Sequence, residues 1–140
     1  MKKYTYFTIA ALLFSVLILA QKPQKLSSNQ IYEKIQKLNF LGSALYIAAH
    51  PDDENTRLIS YLSNHEKART AYLSLTRGDG GQNLIGPEIR ELLGLIRTQE
   101  LLAARKIDGG EQFFTRANDF GYSKHPKDTL EFWEKDKVLS

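Results

Sequence analysis

Cysteine is missing from all 140 residues. Its absence excludes disulfides, thiolate metal sites and cysteine nucleophiles. It also excludes a lipoprotein-type anchor, which needs a Cys just after the export segment. Any metal must therefore be held by His, Asp or Glu. A charge excess is nearly absent too: 19 Lys and Arg face 16 Asp and Glu, a formal net charge of +3. Without Lys2 and Lys3 the balance falls to +1. A nucleic-acid surface would show more than that, so the pI of about 9.1 does not argue for such a partner. With 42% hydrophobic and 25% charged residues, the chain is composed like a globular protein rather than a disordered or collagen-like one. The length suits one domain or part of one.

Long apolar runs are scarce as well. The only one, Phe7 to Ala20, has 14 residues and follows the positive pair Lys2 and Lys3. A bilayer span takes roughly 20 apolar residues. A secretory signal over residues 1–20 fits better, with cleavage after Ala20, although Ile18 is bulkier than the usual small residue three places before the cut. An uncleaved single-helix anchor is the alternative. Either places the rest of the chain outside the cytoplasm, periplasmic or extracellular, with membrane contact only through this segment.

Residues 21–40 read as a polar tether followed by a short helix. The tether contains Pro23, and the helix runs from Ile31 to Leu38 with Ile31, Ile35 and Leu38 on one side and Ser28 or Asn29 as its cap. Ser43 to Ala49 is a continuous apolar run, which predicts a strand buried on both faces, as in a parallel sheet. A helix from about Glu54 to Asn64 follows, with Leu58, Ile59 and Leu62 as its stripe. Ala71 to Thr76 predicts a second strand and leads into the loop Arg77-Gly78-Asp79-Gly80-Gly81-Gln82-Asn83. Pro87 then opens the longest helix, with Glu88 and Glu91 in its first turn. Ile89, Leu92, Leu93, Ile96 and Leu101 mark its buried side, and Gly109-Gly110 ends it. A third strand is expected around Gln112 to Thr115. This alternation predicts an α/β fold with a mostly parallel sheet and flanking helices.

In open α/β sheets, ligands bind outside the carboxyl ends of the strands. Three polar clusters fall there: His50–Glu54, Arg77–Asn83 and Thr115–Asp119. In the first, His50 and Asp53 bracket a tight Pro51-Asp52 step, so an imidazole and a carboxylate can reach one cation. Zinc takes such N and O ligands, and its catalytic sites hold three protein ligands and a water. Asp52 would sit beside that water, free to take its proton. The plainer reading is that an acidic run at a helix start merely caps the helix.

Ala49-His50-Pro51-Asp52-Asp53-Glu54, directly after a buried strand, resembles the signature of the PIG-L (LmbE-like) family of zinc-dependent N-deacetylases. Leu93-Gly94-Leu95-Ile96-Arg97-Thr98-Gln99-Glu100-Leu101 is similar to that family's Leu-Gly-x-x-Arg-x-x-Glu-Leu helix. Gly78-Asp79-Gly80-Gly81 falls at its Gly-rich turn. The similarity covers roughly residues 41–120, and residues 41–140 would form the N-terminal part of the deacetylase domain.

The resemblance implies a Rossmann-like fold, with His50 and Asp53 as zinc ligands and Asp52 as the general base. Arg97 would face the substrate, or else pair with Glu100 or Glu91 on the helix surface. Asp119 would line the pocket. The implied reaction removes an N-acetyl group from an N-acetylglucosamine-type sugar or glycoconjugate, releasing acetate and an amine. The family's third ligand belongs to a His-x-x-His motif that this sequence lacks and that is expected beyond residue 140. The expectation is therefore an incomplete domain whose activity on its own is in question. His65, about eleven residues and ~15 Å along a helix from His50, reads as a surface residue, and His125 has no role in the family. The competing readings are an exported carbohydrate-binding module with a degenerate or truncated metal site, and an anchoring protein whose acidic cluster only caps a helix. The sequence leaves the oligomeric state, the acyl group and the sugar open.

Overall fold

The computed structural model describes residues 25–139. The export segment and the first residues of the tether lie outside the described residues. The chain divides into two units, Met1–Ile35 and Gln36–Ser140. Among the described residues, no helix is long and apolar enough to cross a membrane.

Helix α1 spans Ser28–Lys37. It starts earlier than the apolar spacing predicts, because Ser27 and Gln30 form a reciprocal cap. The Ser27 hydroxyl accepts the Gln30 N–H at 3.3 Å, and the Gln30 side-chain oxygen accepts the Ser27 N–H at 2.9 Å. No residue of α1 is buried.

Three parallel strands follow in spatial order β1-β2-β3: β1 Ser43–Ala48, β2 Arg69–Ser74 and β3 Glu111–Phe114. Each lies within two residues of its predicted place. Between β1 and β2 comes α2, Thr56–Ser60, which runs on as a π-helical turn, Tyr61–His65. Between β2 and β3 comes α3, Glu91–Asp108. Two short helices, α4 Pro126–Phe132 and α5 Lys135–Leu139, close the described chain.

The core gathers on one side of the sheet. Tyr72 of β2, Ile59 of α2 and Leu101 of α3 are buried together, with Tyr46, Ala48 and Phe114 packed against them. The register pairs Tyr46 with Tyr72 and Ala48 with Ser74, so these positions share a face. Tyr46 meets Tyr72 edge-on, ring centroids 5.9 Å apart.

The opposite face corrects an expectation. Leu45 and Ile47 alternate outward along β1 and are each 56% exposed, so β1 is not buried on both faces. Phe113 joins them through its register with Leu73. Lack of polar alternation shows only that both faces are apolar. Here α2 and α3 both deliver core residues to the other face.

The start of α3 is a second correction. Pro87 does not open it: Arg90 at φ 56° breaks the backbone, and the helix begins at Glu91. Ile89 and Leu92 are consequently exposed at 64% and 61%, and Ile96 is only partly covered, while Leu93 and Leu101 are buried as expected. The helix ends as read, on Gly109 at φ 78°, a left-handed position that suits glycine. In α2, Ile59 is fully buried but Leu58 is exposed, which narrows the predicted stripe.

Candidate functional site

The site is built where β1 ends. Leu75 and Thr76 extend the pairing past the strands by donating main-chain hydrogen bonds to the Ala48 and Ala49 carbonyls, both at 2.9 Å. The Thr76 hydroxyl donates to the same Ala49 carbonyl at 3.0 Å. The chain then turns through His50-Pro51-Asp52-Asp53. The Asp53 carboxylate accepts the His50 N–H at 2.9 Å, and the buried Tyr72 hydroxyl donates to the His50 carbonyl. Burial is the main cause that pushes the Tyr72 hydroxyl up to about 12, so it keeps its proton well into alkali. Asp52 sits at the crest with φ 85°, a conformation few non-glycine residues adopt.

This turn does not cap the helix behind it. Asn55 is the N-cap of α2, its side-chain oxygen accepting the Leu58 N–H at 3.0 Å. Asp52, Asp53 and Glu54 are left for other work, which removes the plainer reading of the acidic run.

Two other loops close on the turn. Gly78, at φ 71°, lies against Pro51, where an added Cβ would come within 3.2 Å of the Pro51 ring. At Gly80 a Cβ would meet the Asp119 carbonyl oxygen at 2.5 Å, so only glycine lets the 78–81 loop pass against residues 119–121. That approach brings the buried Asp119 to the site. Its Oδ1 accepts the Gly121 N–H at 2.8 Å and lies 3.5 Å from His50 Nε2. From α3, Arg97 reaches across. One of its terminal nitrogens contacts the Asp52 carboxylate and donates to the Pro51 carbonyl, both at 2.9 Å, while its Nε faces Glu100 at 3.2 Å.

The structure thus brings together His50, Asp52, Asp53, Arg97 and Asp119. His50, Asp52, Arg97 and Asp119 line a cleft of about 320 Å³ with Gly78, Gly81 and Gln82. Larger hollows exist, one of about 690 Å³ between α2 and the end of α3, but it gathers none of these residues. His65 stacks on Tyr61 and pairs with Glu66 at the surface, away from the site as expected. His125 precedes α4 as its N-cap residue, and its side chain makes no capping bond.

Sequence reasoning missed the supports beneath the turn: Tyr72, Thr76, Glu54 and Arg105. Glu54 was in view as part of the motif. Arg105, four residues after Leu101, lies on the same buried face of α3, but nothing in the sequence names its partner across the fold.

The donor chemistry tests for a metal. His50 Nδ1 and Asp53 Oδ2 stand 3.3 Å apart. Tetrahedral zinc with bonds of about 2.0–2.1 Å spans about that distance between two ligands, so this pair fits two of its positions. Asp119 faces the other ring nitrogen. Among the described residues, no group of three or more His, Cys, Asp or Glu side chains converges to hold a metal ion.

A polar cleft at the carboxyl ends of parallel strands, lined by an imidazole, two carboxylates and a guanidinium, lies where open α/β sheets bind their ligands. The sequence model of the PIG-L family, described as GlcNAc-PI de-N-acetylase, matches residues 45–139, and the chain belongs to this family. Membership places it among hydrolases of the de-N-acetylase type in general, a family that is typically metal-dependent. No curated protein matches the chain.

Proposed function

We propose that this protein is an exported, zinc-dependent deacetylase that removes the N-acetyl group of an N-acetylglucosamine-type sugar or glycoconjugate. The observation that carries the reading is the convergence of His50, Asp53 and Asp52 on one turn, with Arg97 fastened to that turn. His50 and Asp53 would hold the ion, completed by a further ligand. When bound, zinc supplies Lewis-acid polarisation of the amide carbonyl and lowers the pKa of water to about 7.

The chain's own residues do the rest. Asp52, whose side chain is 72% exposed at the cleft, takes a proton from the attacking water on a carboxylate oxygen. The water oxygen bonds to the carbonyl carbon, the C–N bond breaks, and the proton passes from Asp52 to the departing nitrogen. Acetate and a free amine result. Arg97 holds the Asp52 carboxylate in orientation and presents its guanidinium to substrate hydroxyl or phosphate oxygens. Asp119 faces the second ring nitrogen of His50 and lines the wall where sugar hydroxyls would lie. The positive, apolar character of residues 1–20 supports export.

A carbohydrate-binding module without turnover is the second reading, in which the polar cleft of His50, Asp52, Arg97 and Asp119 would hold a sugar without the metal-dependent step. Acetate release from N-acetylglucosamine conjugates in the presence of zinc decides between them. Release that is lost in Asp52→Asn supports the deacetylase. Sugar binding with no release supports the module.

A further inference from the structure

Beneath the turn lies an ionic cluster that the proposed chemistry does not use. The side chains of Glu54, Arg105 and Asp108 are each only 4–7% exposed. One Arg105 terminal nitrogen stands 3.1 Å from Glu54 Oε1 and 2.6 Å from Asp108 Oδ2. The guanidinium also lies over the Tyr72 ring, 5.4 Å from its centroid. Burying three charges is costly, and such a cluster is weak evidence for stability as its purpose.

The second Glu54 oxygen points to a purpose. Oε2 accepts the Asp52 N–H at 2.9 Å. A single carboxylate thus ties the strained Asp52 main chain, φ 85°, to the middle of the domain through Arg105. Tyr72 links the same two points, donating to the His50 carbonyl while its ring carries the guanidinium. A residue at positive φ persists only where its surroundings over-determine it.

We propose that Glu54 and Arg105 are a positioning pair that holds the Asp52 backbone in its left-handed conformation and so aims the Asp52 carboxylate into the cleft; the catalytic half of this statement rests on the reading of Asp52 as the base. Only a carboxylate serves here, because both of its oxygens accept. The Gln of Glu54→Gln would turn an NH2 group toward either the Asp52 N–H or the guanidinium. Asp108 marks the contrast. It shares Arg105, but its other oxygen accepts the Gly110 N–H at the far end of α3 and touches nothing in the turn.

The test compares Glu54→Gln with Asp108→Asn in the 140-residue chain, by the amide spectrum of 15N-labelled protein and by zinc-dependent acetate release from an N-acetylglucosamine conjugate. Glu54→Gln leaves Arg105 its Asp108 counter-ion, so the fold is retained, and a dispersed spectrum verifies this. In Glu54→Gln the Asp52 N–H loses its charged acceptor, to an NH2 group or to a neutral carbonyl, so its proton moves upfield in either orientation, and kcat falls about 10–100-fold with KM unchanged, the usual size of such supporting effects. In Asp108→Asn the Asp52 amide and kcat stay at their wild-type values. An unmoved Asp52 amide in Glu54→Gln, or equal changes in both variants, overturns the proposal. If the wild-type chain releases no acetate, the amide comparison by itself decides whether the pair holds the turn.

Discussion

Arg97 and Asp52 are 45 positions apart in the chain, yet a guanidinium nitrogen of one lies 2.9 Å from the carboxylate of the other. The same nitrogen also holds the carbonyl of Pro51. A helix residue therefore fixes both the backbone and the side chain of the turn that would carry the chemistry. The interaction with Glu100 on the same helix steadies the guanidinium from behind.

Replacing Asp52 by Asn should retain zinc and lower turnover by about 10²–10⁴-fold, the usual contribution of a general base. Acetate release and metal content, measured on the same preparation, check this. Unchanged turnover would remove Asp52 from its role.

Replacing Asp53 by Ala, or His50 by Ala, should strip the metal rather than the base. Metal analysis after dialysis, on protein extended to include the further ligand, is expected to show wild type holding zinc and both variants losing it. Full occupancy in Asp53→Ala would refute the ligand assignment drawn from the 3.3 Å His50–Asp53 spacing.

Gly80→Ala probes how the loops are held together. The new methyl would press on the Asp119 main chain from 2.5 Å, and backbone cannot swing aside as a flexible side chain can. A loss of about 1–3 kcal/mol is expected, as for other overpacked sites. Denaturant unfolding measures it, and an Ala variant as stable as wild type would contradict the close approach.

Stability should also fall in strong alkali. The Tyr72 hydroxyl is raised from its ordinary 10.0 to about 12, chiefly by burial. The folded state therefore holds this proton more tightly than the unfolded state. Its contribution is complete below pH 10 and is lost as pH rises through about 12. Unfolding curves across this window should show a smaller decline in Tyr72→Phe, and identical declines would count against the burial of that hydroxyl.

The two sheet faces should respond differently to substitution. Ile59→Ala, at a fully buried position, should cost about 2–5 kcal/mol. Leu45→Ser, on the open face, should cost less than about 1 kcal/mol by the same unfolding measurement. Equal losses would mean that β1 is covered on both faces after all.

The sequence by itself determined the order of the elements and where a candidate site would lie. Buried strands must be apolar, helices must repeat near 3.6 residues, and ligands of open α/β sheets bind beyond the carboxyl ends of the strands. Those constraints single out the clusters His50–Glu54, Arg77–Asn83 and Thr115–Asp119, while Arg97 and the pocket role of Asp119 are implied only by the family resemblance. The family that matches residues 45–139 is the one the His50–Glu54 turn and the Arg97 helix resemble. The tertiary structure alone decided which apolar face is covered, because Leu45 and Tyr46 look equally buried in a list of residues and differ only in which helices arrive. It alone showed that α3 starts at Glu91, since the reversal at Arg90 is a backbone conformation that the favourable Pro87 concealed. And it alone joined Glu54 to Arg105, a contact across 51 positions that follows no local rule and exists only once β1 and α3 are packed against the same core.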